Sequence, residues 1–141
     1  MATVSPYWNY TLHLPHDPRA PGIARATLRL ILAAHEMTEL TPTAELVAAE
    51  LLANAHCRTQ GPYALRLRAA EPGRLRVAVW DIDPHVPPGF STAPALPPPP
   101  DAEHGRGLPL VRAYADTWGA SRLHELGKLL WAECGGGAVA W

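Results

Sequence analysis

A carboxylate and an amide lie four residues apart in a stretch of the sequence that is predicted to be helical. Leu46, Val47 and Leu51 define the apolar side of that helix. At about 100° per residue, Glu50 and Asn54 project from the same side. A polar pair on a buried face is costly unless it is fully hydrogen-bonded or lines a cleft. The two residues are therefore either a satisfied pair at the edge of the core or a cleft pair. In a cleft, a carboxylate can act as a general base and an amide oxygen can bind a hard cation.

Another carboxylate closes a predicted β-strand over residues 75–82. Val77, Val79 and Asp81 alternate with other residues, so they share the inward face of the strand, and Asp81 stands at its end. An inward carboxylate in this place can accept a hydrogen bond from the exocyclic amine of a purine. An aspartate that follows a strand can equally be a turn former.

Two glycines and an arginine lead into a further predicted helix, over residues 107–114. Gly105 and Gly107 allow a ligand to approach the backbone closely, and free amides at the start of a helix can bind phosphate. Arg106 can meet phosphate charge or can be a solvated surface residue. Glycine is also common in turns that lead into helices, so the pattern alone leaves both readings open.

The segment before these glycines is rich in proline. Eight of the 16 prolines lie between residues 84 and 100, where the sequence has no apolar period. A connection of this length inside a domain is usually a functional loop or lid, and the alternative is an inert insertion.

The elements that must position these residues are predicted from the spacing of apolar side chains. The first helix, over residues 23–37, is expected to be amphipathic. Its apolar residues recur at spacings of three and four: Ile23, Ala26, Leu30, Ala33, Ala34 and Met37. Helices followed by antiparallel strands, without alternating crossovers, predict an α+β sandwich. The predicted elements are a strand over 8–14, helices over 23–37, 41–55 and 107–114, and two hairpins, of strands 64–69 with 75–82 and 118–126 with 129–134.

Length and composition limit the class of protein. The 141 residues, 48% hydrophobic and 18% charged, suit one packed domain over residues 1–141. A formal charge of −1 lacks the electrostatic footprint of a general nucleic-acid binder. No apolar run approaches the roughly eighteen residues that cross a bilayer, and no signal peptide is visible, so a cytoplasmic location is expected. Cys57 and Cys134 are too few for a disulfide framework, and both are expected to be reduced and buried.

In their order and spacing, these motifs resemble the nucleotide-binding boxes of the GHKL ATPases, which share the Bergerat fold. The closest resemblance is to the small RsbW-like anti-sigma serine kinases of actinobacterial type. It spans about residues 17–133, nearly the whole chain. The matching segments are residues 45–55 (ELVAAELLANA), 79–81 (VWD), 105–111 (GRGLPLV) and 127–131 (GKLLW).

The resemblance implies a role for each candidate residue in a site for ATP and Mg²⁺. Glu50 would be the general base and Asn54 the Mg²⁺ ligand, while Asp81 would read the adenine. The phosphates would be covered by a lid over about residues 84–104. The residues that follow or end this lid, and that would bind the nucleotide, are Gly105, Arg106, Gly107 and Leu108. His56, two residues after Asn54, is expected to be structural.

The implied fold is a two-layer α+β sandwich, with helices on one face of a mixed, mostly antiparallel sheet. The implied function is a serine/threonine protein kinase and anti-sigma factor that acts on an anti-anti-sigma-like protein, a sigma factor or both. A homodimer is expected to be possible, without direct contact to nucleic acid or membrane. Asp83 and His85 stand where the family often has glycine, which favours the alternative of a non-catalytic, nucleotide-responsive binding module. The catalytic domain of a sensor histidine kinase is disfavoured, because no helix pair with a phosphoacceptor histidine precedes the domain.

Overall fold

The protein folds into five strands and three helices. The computed structural model describes residues 7–90 and 107–135. In chain order the elements are β1 (Trp8–Leu14), α1 (Ala20–Ala34), α2 (Thr41–Arg58), β2 (Tyr63–Glu71), β3 (Arg74–Asp81), α3 (Gly107–Tyr114), β4 (Thr117–Arg122) and β5 (Lys128–Gly135), with short 3-10 turns at Thr38–Leu40 and His124–Leu126. None of these helices has the length and hydropathy needed to cross a bilayer.

The strands form one sheet in the order β1-β2-β3-β5-β4. Each strand in this part of the chain runs antiparallel to its neighbours. Both predicted hairpins are present, because β2 pairs with β3 and β4 pairs with β5. After α3 the chain forms β4 at the edge of the sheet, and β5 then lies between β4 and β3. The predicted α+β sandwich is confirmed.

The hydrophobic core lies between the helices and one face of the sheet. On β3 the alternation works as predicted: Leu75, Val77 and Val79 are at most 1% exposed. The inward residues of β2, such as Leu65 and Leu67, meet the same helical layer. The opposite face of the sheet carries the alternate residues and is not covered by a described helix.

The predicted inward face of α1 is wrong. The helix starts at Ala20 and ends at Ala34, and Pro21 lies in its first turn, where no amide donor is needed. Ile23 and Leu30 are 54% and 69% exposed, and of the predicted stripe Met37, beyond the end of the helix, is buried. The buried positions form a second apolar stripe at a different angle: Ala20, Ala24, Leu28, Ile31 and Leu32. Because both stripes fit the helical period, only packing against α2 and the sheet selects between them.

Two other local predictions are also corrected. The strand predicted over residues 118–126 ends at Arg122, because the chain then makes a 3-10 turn and passes through Gly127 with a φ of 95°. Cys57 is exposed, and only Cys134 is buried as predicted. Burial raises the pKa of the Cys134 thiol to about 11, so this sulfur stays protonated near neutral pH.

Candidate functional site

Three elements that carry the predicted site residues pack against one another. Helix α2 contacts both β3 and α3. The sheet register places Asp81, the last residue of β3, between Tyr63 of β2 and Lys128 of β5. These contacts make α2 the neighbour of both β3 and α3, and the pairing of Tyr63 with Asp81 brings the carboxyl end of β3 beside the start of β2.

The carboxyl end of α2 is tied directly to the strand beside Asp81. Nδ1 of His56 and the hydroxyl of Tyr63 share a hydrogen bond of 2.8 Å. The ring of His16 stacks on His56 at 4.1 Å, and its Nε2 donates to the His56 carbonyl at 2.9 Å. His56 therefore holds the helix, the β1–α1 connection and β2 together, which is a structural role.

Glu50 and Asn54 lie at the border of the buried face of α2. Both side chains are half-buried. The fully buried positions are Ala44, Val47, Ala48, Leu51, Leu52 and Ala55. The sequence placed the polar pair within the apolar face, whereas the structure places it along one edge of that face, where both side chains are half-buried.

The oxygen of the Asn54 amide is an orphaned acceptor. Its Oδ1 atom is buried and has no hydrogen-bond partner among residues 7–90 and 107–135. An unpaired buried oxygen costs about 1–3 kcal/mol, and native proteins seldom keep one without a reason. Amide oxygens are suitable ligands for Mg²⁺ and Ca²⁺. This atom therefore fits the cation-ligand position that the sequence predicted for Asn54.

The Glu50 carboxylate forms none of the ion pairs found among residues 7–90 and 107–135. The nearby Glu45 differs, because it pairs with Arg29 across the α1–α2 contact at 3.0 Å. A half-buried carboxylate that is not neutralised by a neighbour can accept a proton from a bound hydroxyl. The role of general base that the resemblance implies for Glu50 stays a prediction.

Asp81 is one half of a buried ion pair. Its side chain and that of Lys128 are each 1% exposed, and Lys128 Nζ donates to Asp81 Oδ1 at 2.9 Å. The amide of Asp83 donates to the same oxygen at 2.9 Å. Burial raises the pKa of the Asp81 carboxyl, while Lys128 and the Asp83 amide oppose that rise. Asp81 is inward at the end of β3, as predicted, but it is not an isolated carboxylate.

Lys128 is the site residue that sequence reasoning missed. The predicted last strand began at Leu129, one residue too late, so the alternation was not extended to its first inward position. Lys128, Leu130 and Ala132 share the helix-facing side of β5. The available signal was a lysine continuing an apolar inward stripe, in a chain that has no other lysine.

Gly127 allows β5 to start beside Asp81. Its φ of 95° lies in the region that favours glycine. A Cβ at this position would overlap the backbone carbonyl of Asp81. The glycine of the GKLLW segment is therefore required by the close approach of two strands, and it places Lys128 opposite Asp81.

The proline-rich segment is anchored where it begins. Phe90 is 3% exposed and belongs to the core. Trp118 Nε1 donates to the Gly89 carbonyl at 2.9 Å. Gly89 has a φ of 92° and lies against the Arg112 side chain of α3, so a side chain there would clash. The first residues of the predicted lid, up to Phe90, are thus attached to α3 and β4.

Of the remaining predicted site residues, some lie within the described residues and some lie outside them. Most of the predicted lid, with Gly105 and Arg106, lies outside the described residues. Gly107 is the first residue of α3, and Leu108 follows it with its side chain in the core, 6% exposed. What Leu108 presents to a ligand at the helix start is its backbone.

A network around Arg76, Glu133 and Trp131 lies on the face of the sheet that no described helix covers. Arg76 binds Glu133 through Nε at 2.9 Å and Nη2 at 2.8 Å, and lies 4.1 Å from the ring centre of Trp131. Thr117 donates to the other Glu133 oxygen at 3.0 Å. Burial acts to raise the pKa of Glu133, but these hydrogen bonds and the charges of the arginines lower it. This network stabilises β3, β4 and β5 against one another.

Comparison with known proteins gives one result. A family model described as a histidine kinase-like ATPase domain matches residues 14–133, most of the chain. A comparison with curated proteins gives no match. The matched range begins at the end of β1 and ends within β5, so it contains all three helices and the pair formed by Asp81 and Lys128.

Proposed function

Because the chain belongs to the histidine kinase-like ATPase domain family, which implies that it binds ATP, we propose that it is a regulatory serine/threonine protein kinase. The observation that carries this proposal is the state of the α2 polar pair. Asn54 offers a buried oxygen without a partner among the described residues, and Glu50, one turn earlier, forms no ion pair with any of them. A domain that only needed a stable core would gain nothing from either.

Each candidate site residue has a separate role in this proposal. Asn54 Oδ1 would ligate Mg²⁺, and Glu50 would take the proton from a serine hydroxyl of the protein substrate. Asp81 would accept a hydrogen bond from the adenine amine. Mg·ATP, when bound, supplies the phosphoryl group and the cation that neutralises its charge. Gly105, Arg106 and the amides at the start of α3 would bind the phosphates.

The proposed partner is an anti-anti-sigma-like protein, a sigma factor or both. This part of the proposal rests on the resemblance of the four ordered motifs to the RsbW-like kinases. A cytoplasmic location and the possibility of a homodimer belong to the same proposal. The exposed stripe of α1 with Ile23 and Leu30 is an apolar surface on which a protein partner could dock.

The experiment separates binding from chemistry. Mg·ATP affinity is measured by calorimetry, and phosphate transfer is measured with radiolabelled ATP on purified anti-anti-sigma proteins of the source organism. Glu50→Gln is expected to bind ATP within a few-fold of wild type and to lose about 10²–10⁴ in transfer rate, the usual contribution of a general base. Glu45→Gln is the matched control on the same helix, since Glu45 pairs with Arg29. Transfer by Glu50→Gln at the wild-type rate would contradict the mechanism.

A non-catalytic, nucleotide-responsive module is the second candidate. The observation that favours it is the turn after β3, where Asp83 replaces a glycine of the family pattern and its carbonyl is held by Lys128 at 2.8 Å. This contact ties the turn to β5, where the family pattern would have a flexible glycine. Binding of Mg·ATP with partner affinity that depends on nucleotide, but with no phosphate transfer to any partner, would select this function.

A further inference from the structure

Lys128 makes a set of contacts for which the ATPase family assignment gives no reason. Its ammonium donates to Asp81 Oδ1 at 2.9 Å and to the Asp83 carbonyl at 2.8 Å. Among residues whose burial is described, Asp81 and Lys128 are the two charged side chains that are buried. The lysine therefore joins the carboxylate at the end of β3 to the backbone of the turn that follows.

The fold alone does not account for this pair. Transfer of an ammonium and a carboxylate out of water costs several kcal/mol per ion, and apolar replacements of similar volume are often neutral or stabilising. The neighbouring inward positions, Val79 and Leu130, are apolar and well buried. An apolar pair at positions 81 and 128 would continue the same core. A charged pair here therefore indicates a task other than stability.

We infer that Lys128 is a positioning residue of the nucleotide site, whose ammonium keeps the Asp81 carboxylate ionised and oriented and holds the Asp83 turn beside it. The inference rests on the proposed binding of ATP in this site. An ionised carboxylate accepts a charge-assisted hydrogen bond from the base, whereas a protonated one can turn a hydroxyl toward it. Lysine has three donors, and the two described contacts fix both the carboxylate and the turn.

The described titratable groups on the elements around Asp81 come from β2, β5, the turn after β3 and α2. Lys128 comes from β5, Tyr63 is the cross-strand partner on β2, and Asp83 lies in the next turn. On α2, which packs against β3, the titratable side chains are Glu45, Glu50, His56, Cys57 and Arg58. Lys128 is the one of these that forms an ion pair with Asp81. Burial acts to raise the pKa of Asp81 and Lys128 opposes it, so removal of the ammonium must raise that pKa further.

The test uses Lys128→Met in the full chain, with Arg122→Met as matched control. Arg122 lies opposite Lys128 on β4 and is exposed, so its loss removes the same charge without opening a buried pair. Affinity for Mg·ATP is measured by calorimetry between pH 5.5 and about 9, and the titration of the Asp81 carboxyl is followed by ¹³C NMR without nucleotide. For Lys128→Met we expect at least about a tenfold weaker affinity at neutral pH, partly regained at higher pH, and a higher midpoint for Asp81. The control is expected to match wild type in both.

A structural role alone predicts a different result. The inference would be overturned if the Lys128→Met variant folds, binds Mg·ATP within twofold of wild type and shows the wild-type midpoint for the titration of the Asp81 carboxyl. If Lys128→Met does not fold, Lys128→Gln carries the same measurements, since its amide can still donate to Asp81 without charge. A wild type that binds no Mg·ATP contradicts the proposed function instead. The nucleotide-free titration then still decides whether Lys128 controls Asp81.

Discussion

At the scale of single residues, the candidate site contains a buried amide oxygen without a described partner and a buried ion pair. Asn54 Oδ1 is buried without a described partner, while Asp81 is neutralised by Lys128. Both conditions cost stability, and both place hydrogen-bonding capacity where a nucleotide and its cation would bind. The two residues differ because Asp81 has a hydrogen-bond donor in the described structure, whereas Asn54 Oδ1 has none before a ligand binds.

This difference predicts opposite effects of Asn54→Ala on stability and binding. Without nucleotide, we expect the free energy of unfolding to stay equal or to rise by about 1 kcal/mol, because an unpaired buried oxygen is removed. Affinity for ATP in the presence of Mg²⁺ is expected to fall about tenfold or more, and the dependence on Mg²⁺ to weaken. Urea unfolding and calorimetry measure the two effects, with the exposed Gln60→Ala as control. A destabilised variant with unchanged affinity would show that Asn54 is only structural.

A second residue-scale prediction concerns pH and the open face of the sheet. The pKa of Glu133 is lowered in the folded protein by its partners Arg76 and Thr117, although burial acts to raise it. The unfolded state thus binds more protons, so the contribution of Glu133 is present above its ordinary pKa and is lost as pH falls through the lowered value. Glu133→Gln is expected to reduce the free energy of unfolding by about 1 kcal/mol at neutral pH.

The measurement is urea unfolding of wild type and Glu133→Gln at several pH values. The difference between them should shrink as the solution becomes acidic, because wild-type Glu133 is then protonated too. Glu71→Gln, at an exposed position of β2, serves as control and should differ little from wild type. A gap that stays constant down to acidic pH would contradict the ion-pair origin of the effect.

At the scale of elements, α1 shows how two apolar stripes on one helix can have different roles. Leu28 is fully buried, whereas Leu30 is 69% exposed. Both residues fit a helical period, and both carry the same side chain. Packing of α1 against α2 and the strand layer turns the Leu28 side inward and leaves the Leu30 side open.

Truncation of the two leucines is therefore expected to give very different results. Leu28→Ala should cost about 2–5 kcal/mol of unfolding free energy, because it leaves a cavity in the core. Leu30→Ala should change stability by no more than about 0.5 kcal/mol. Chemical denaturation of the two variants in parallel is the measurement, and each is the control for the other. Equal losses would mean that the Leu30 side is also buried in solution, for example by a second copy.

At the scale of the whole molecule, the candidate site joins elements that are far apart in sequence. The three elements that carry the candidate residues, α2, β3 and α3, are held together because α2 contacts both other elements. A ligand that touches all three stabilises the folded chain as a unit, since the unfolded chain has no such site. Binding should therefore be visible as a change in global stability.

Mg·ATP is expected to raise the unfolding temperature. At a hundredfold excess over the dissociation constant, one-site binding adds about 2.7 kcal/mol to the free energy of unfolding. That increase shifts the midpoint by several degrees for a chain of this size. Mg·GTP at the same concentration should shift it less, because its C6 oxygen would face the Asp81 carboxylate. Differential scanning fluorimetry measures both, and equal shifts would contradict adenine recognition by Asp81.

The sequence alone determined the class of fold and the order of the motifs. Alternation in β3 and the apolar spacing in α2 depend on period, which local sequence carries. The two hairpins and the inward position of Asp81 followed from these patterns, while the ATPase family was indicated by the resemblance of the ordered motifs and shown by the family model. Helix boundaries differed by a few residues because capping was weak: neither α1 nor α2 has a side-chain cap.

Only the tertiary structure decided how the side chains are paired. The choice between the Leu28 and Leu30 sides of α1 depends on which surface α2 offers, and both sides satisfy the helical period. The position of Glu50 and Asn54 at the edge of the buried face depends on the same packing. The pair of Asp81 with Lys128 depends on the order of strands, because β5 must lie beside β3 and Gly127 must allow the close approach. Contacts between residues distant in sequence leave no period behind, so they became visible only when the sheet was assembled.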